Sequence, residues 1–130
     1  MPRSNGARFK VLVVDDEPGM RALVRRCLEA DFDVVDAASG ADALALAEGL
    51  GPLGLLITDE MMPEMEGHEL ARCFRAMDPD LKVLYLTGFA DHLFDAKDQL
   101  WDLEAYLDKP FTPDGLRQAI AQLVYGRQAL

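Results

Sequence analysis

Residues 53–67 read LGLLITDEMMPEMEG. The stretch leaves a turn signal, GLGPLG at 49–54, and enters LLIT at 55–58. A short apolar run without polar alternation predicts a strand buried on both faces, the habit of parallel sheets. The run stops at Thr58-Asp59-Glu60, and two methionines and a proline follow. A buried strand therefore delivers a carboxylate at its tip, and Glu66 opens a helix with Leu70, Cys73, Phe74 and Met77 on its inner stripe.

The same alternation recurs on either side. FKVLVV (9–14) is a first strand, followed by DDEPG and a helix with Pro18 in its first turn and Met20, Leu23, Val24, Cys27 and Leu28 on one face. DFDVVDA (31–37) is a second strand. Ser39 and Asp42 cap an alanine-rich helix running to about Glu48. KVLYLT (82–87) and AYLD (105–108) are the fourth and fifth strands. A helix covers about 90–101, although HLFDAKDQLWDL (92–103) has no clean apolar stripe. Thr112-Pro113-Asp114 caps a last helix with Leu116, Ala119, Ile120, Leu123 and Val124 inward. Five strand–helix units with short loops predict an α/β fold, a parallel sheet with helices on both faces. Residues 1–8 and 126–130 read as tails around a single domain over 9–125.

A chain of 130 residues holds one core. A net charge of −10 gives no electrostatic footprint for nucleic-acid phosphates or anionic membranes. Cys27 and Cys73 lack metal spacing and read as small buried hydrophobes. Two lone thiols and no signal peptide suggest a cytoplasmic location. His68 and His92 read as solvated or capping residues, and Trp101 as a packing or interface residue.

In open parallel sheets, ligands bind beyond the carboxyl ends of the strands. At those ends sit Asp15 and Asp16, Asp59, Thr87 and Lys109. Singly, each reads as a turn acid, a β-former or a solvated lysine. Parallel topology, however, puts all five on one edge. Three neighbouring carboxylates repel unless a cation joins them, and hard oxygens suit Mg²⁺, or Mn²⁺ in its place. A carboxylate can be a nucleophile, and a transferring phosphoryl group needs positive charge and donors around its oxygens.

DDEP at 15–18, D-x-x-M-P-x-M-x-G at 59–67, Thr87-Gly88 and Lys109-Pro110-Phe111 together resemble the receiver domain of two-component response regulators. The resemblance spans about 9–125. It implies a flavodoxin-like, doubly wound three-layer sandwich with sheet order 2-1-3-4-5, an order the family itself exemplifies. It implies that Asp59 accepts a phosphoryl group from a sensor histidine kinase or a histidine phosphotransfer protein. The Mg²⁺ site would comprise Asp16, Asp15 through water, Asp59 and the Met61 backbone carbonyl. Lys109 and Thr87 would contact the phosphoryl group, Tyr106 would be the switch aromatic, and Pro110 would follow a cis peptide bond.

The implied output surface is the helix after the fourth strand, the fifth strand and the last helix, and it allows a homodimer. Such a domain is a signalling switch that catalyses only its own phosphorylation and dephosphorylation. Met61 and Phe89 are bulkier and less polar than is common at these places in the family, and are expected to slow loss of the phosphoryl group. Two alternatives share parts of the site. One is a haloacid-dehalogenase-like phosphatase, which wants D-x-D after its first strand. The other is a docking module that ignores phosphate. The chain suits a single-domain regulator or a receiver excised from a larger protein such as a hybrid kinase, and its downstream effector is not legible.

Overall fold

The computed structural model describes residues 9–88, Leu93 and 103–125. Five strands form one parallel sheet: β1 (Lys10–Val14), β2 (Asp33–Ala37), β3 (Leu55–Asp59), β4 (Lys82–Thr87) and β5 (Glu104–Asp108). Their order is β2-β1-β3-β4-β5, so the winding reverses between β1 and β3. Four described helices follow β1, β2, β3 and β5: α1 (Pro18–Leu28), α2 (Gly40–Leu50), α3 (Gly67–Met77) and α4 (Pro113–Tyr125). The helix expected over about 90–101 lies outside the described residues except for Leu93, which is helical and fully buried. The two expected tails also lie outside them.

Side-chain alternation along the strands splits the core into two layers. Leu12, Val14, Leu56, Val83 and Tyr85 face α2 and α3. Val11, Val13, Leu55, Ile57, Leu84 and Leu86 face α1 and α4. All five residues of β3 are buried, because helices cover both faces of this central strand. The helix starts are chemically explicit. Pro18 opens α1, where its missing N–H costs nothing. The Ser39 hydroxyl accepts from the Asp42 amide at 3.0 Å, and Thr112 accepts from Gly115 at 2.9 Å. Glu66 and Glu69 form a reciprocal capping box on α3.

The inner face of α3 differs from the expected stripe. Gly67, Leu70, Ala71, Phe74 and Arg75 are buried, whereas Cys73 and Met77 are exposed. The stripe is rotated because Arg75 has partners inside. Its guanidinium donates to the Leu103 carbonyl at 3.2 Å and lies 3.7 Å from the Glu104 carboxylate. Tyr85 donates to that carboxylate at 3.2 Å. Neither cysteine is a buried hydrophobe: Cys73 is exposed and Cys27 only half-buried. No helix among the described residues is long and apolar enough to cross a membrane.

Candidate functional site

The parallel ladder continues just past the strand ends. The Asp15 amide donates to Ala37, the Glu60 amide to Leu86 and the Lys109 amide to Thr87. These bonds hold the tips of β1, β3 and β5 at one level, and the side chains that follow converge there. Carboxylate oxygens of Asp15, Asp16 and Asp59 all lie within 4.8 Å of one another. The Lys109 ammonium sits 3.4 Å from Asp15 and 3.5 Å from Asp59. Asp15 and Asp59 are nearly buried, while Asp16 is exposed at the mouth.

Local hydrogen bonds fix these groups. The Glu17 amide donates to Asp15 Oδ1 at 2.9 Å and the Met61 amide to Asp59 Oδ1 at 3.3 Å. Arg21, five residues past Asp16, donates from α1 to the Asp15 carbonyl at 2.9 Å. Burial raises the Asp59 carboxyl from 3.8 to about 6, against the pull of Lys109, and the Asp15 charge adds to the rise. Burial raises Asp15 as well, opposed by the Glu17 amide and Lys109.

Among the described residues, Lys109 is paired with two of these three carboxylates, and the acidic side chains offer hard oxygens. The set therefore fits a small divalent cation of the Mg²⁺ type. Thr87 is fully buried at the tip of β4. Tyr106 on β5 is 39% exposed. The Lys109–Pro110 peptide bond is cis. The Met61 side chain is 41% exposed beside the site, and Phe89 lies outside the described residues.

The chain matches the family model of the response regulator receiver domain over residues 11–121. The chain belongs to this family. The sensor histidine kinase TmoS of Ectopseudomonas mendocina is 34% identical over 126 residues, covering 95% of this chain and 13% of TmoS. The response regulator receiver protein CpdR of Brucella abortus is 42% identical over 82 residues, 62% of this chain and 68% of CpdR. Among solved structures, the response regulator protein TrrA of Thermotoga maritima, in complex with Mg²⁺–BeF, superposes with a TM-score of 0.76. It is 31% identical, and the match covers 88% of this chain and 98% of that one. The receiver domain thus corresponds to a small part of one relative and most of another. It is a phosphoacceptor signalling module of two-component systems. The comparisons lend no support to the phosphatase and docking alternatives.

His68 departs from its expected solvated or capping role. Its ring Nδ1 lies in hydrogen-bond contact with Glu60 Oε2 at 2.6 Å, and its side chain is only 12% exposed. Glu60, Arg21 and Arg75 were not legible as site or core residues. The one available signal for Glu60 was an acid directly behind a buried strand, eight residues before a histidine.

Proposed function

We propose that this receiver takes a phosphoryl group onto Asp59 from the phosphohistidine of a sensor kinase or phosphotransfer protein. The observation that carries the assignment is the Asp59 carboxylate itself. It sits at the end of an entirely buried strand, 3.5 Å from Lys109 and within 4.8 Å of two further carboxylates. An Asp59 oxygen attacks phosphorus, a P–O bond forms and the P–N bond to imidazole breaks. The leaving imidazole takes up a proton.

Asp16, Asp59, the Met61 carbonyl and, through water, Asp15 would hold Mg²⁺. That ion, when bound, supplies charge neutralisation among the carboxylates and phosphoryl oxygens. Lys109 binds a phosphoryl oxygen, and the Thr87 hydroxyl donates to another once the group is in place. Met61 narrows the path of hydrolytic water, and the domain catalyses its own slow dephosphorylation. Tyr106 turns inward as Thr87 is drawn toward the phosphoryl group, which alters the β5 surface read by an effector or by a second copy. Thiols with no disulfide partner support a cytoplasmic location.

The test is incubation with Mg²⁺ and acetyl phosphate, followed by intact-mass measurement. One phosphoryl adduct on the wild type and none on Asp59→Asn is the expected result. An adduct that survives in Asp59→Asn would sink the assignment.

A further inference from the structure

Glu60 is a side chain that the mechanism above does not use. Its carboxylate is completely buried immediately behind Asp59. A buried carboxylate is costly unless donors surround it. Here Oε1 accepts from the His68 backbone amide at 2.9 Å, and Oε2 shares a hydrogen bond with the His68 ring Nδ1 at 2.6 Å. The Glu60 carbonyl also accepts from the Gly67 amide at 3.0 Å. The first amides of a helix have no partner within it. In α3, the Gly67 and His68 amides both go to Glu60, and the Glu69 amide goes to Glu66. One residue thus closes the base of the 61–66 loop through main chain and side chain together. An anion at a helix start is favoured by the peptide dipoles as well.

We propose that Glu60, braced by His68, is a positioning residue for the phosphorylation site. It ties the backbone just after Asp59 to the first turn of α3, and so holds the Asp59 carboxylate and the Met61 carbonyl at the spacing the cation needs. Two other positions of the loop are anchored independently. Met62 is buried in the core, and Met65 packs against Gly40 at the start of α2. Met61, whose amide donates to Asp59 Oδ1, lies between the Glu60 brace and these anchors. The inference rests on Asp59 being the phosphoacceptor.

The test compares the full chain with Glu60→Leu, Glu60→Gln and His68→Ala. Two readouts serve: Mg²⁺ binding by calorimetry without any phosphodonor, and the Mg²⁺ dependence of phosphorylation by acetyl phosphate. Glu60→Leu is expected to weaken Mg²⁺ binding about tenfold and to lower the phosphorylation rate at saturating Mg²⁺. His68→Ala moves both in the same direction by less, because the carboxylate keeps the backbone amide. Glu60→Gln, which keeps an acceptor for that amide, restores most of both.

A merely structural role would lower the melting midpoint and leave the Mg²⁺ constant unchanged, and that result overturns the proposal. So does a Glu60→Gln protein as impaired as Glu60→Leu. Should Glu60→Leu fail to fold, an unchanged Mg²⁺ constant in His68→Ala overturns it instead. A wild type that binds Mg²⁺ but takes no phosphate refutes the Asp59 assignment, and the calorimetric comparison still decides the role of Glu60.

Discussion

The Asp59 carboxyl sits at about 6, well above its ordinary 3.8, because burial disfavours its charge. A group whose folded pKa exceeds its unfolded one supports the fold fully below the unfolded value. That support is lost as pH rises through the folded value. Above pH 6, in the absence of divalent cation, the charged Asp59 therefore costs the fold about 3 kcal/mol. Asp59→Asn should raise the metal-free melting midpoint at pH 7.5 by on the order of 10 °C. The gain should vanish near pH 4, where the wild-type carboxyl is protonated, and thermal melts across pH 4–7.5 measure it. Lys109 is the cation between Asp15 and Asp59. Lys109→Met should slow phosphorylation by acetyl phosphate about 100-fold or more if, as proposed, Lys109 binds a phosphoryl oxygen. An unchanged rate constant in a quench assay would rule that role out.

Among the elements, α3 carries the tightest constraint. A Cβ on Gly67 would run into the Asp59 carbonyl oxygen and crowd the Glu60 backbone. Gly67→Ala should therefore cost about 2 kcal/mol in urea unfolding, the usual scale for forcing an atom into a packed site. It should also slow phosphorylation, because the displaced atom belongs to Asp59, the proposed acceptor. Toward the other end of α3, Arg75 lies beside the buried Glu104, to which Tyr85 also donates. Arg75→Ala takes a cation away from a buried carboxylate and should cost about 3–5 kcal/mol by the same measurement. Arg75→Ala together with Glu104→Gln should recover part of that loss, because no charge is then left behind. Cys73 on the outer face should react readily with a thiol reagent in the native protein, and the half-buried Cys27 more slowly.

Across the whole molecule, sheet order decides what can meet. With β1 beside β3, Asp15 and Asp16 reach Asp59, and β4 and β5 bring Thr87 and Lys109 to the same edge. A ligand that binds only the folded arrangement stabilises all of it by mass action. Mg²⁺ at a hundredfold excess over its dissociation constant should add about 2.7 kcal/mol to unfolding stability near pH 7. Asp16→Asn should lose most of that increment. Equal Mg²⁺ effects on both proteins would remove Asp16 from the cation site.

The strand–helix alternation, the two-sided burial of β3 and the list of acids, threonine and lysine at the strand tips were all determined by the sequence alone. Each is a local matter of apolar run length, cap chemistry and motif spacing. The rotation of α3 was decided only by tertiary structure. A periodic stripe cannot tell that Arg75 will find the Leu103 carbonyl, 28 residues along the chain, and Glu104 beside it, and so turn Cys73 and Met77 outward. The same holds for Glu60 and His68. Read along the chain, they are an acid and a histidine at a loop's two ends. Only when α3 packs over the tip of β3 does the loop close, bury the carboxylate completely and set the histidine ring against it. Burial and long-range pairing depend on where two segments meet, and no window of sequence contains both sides of that meeting.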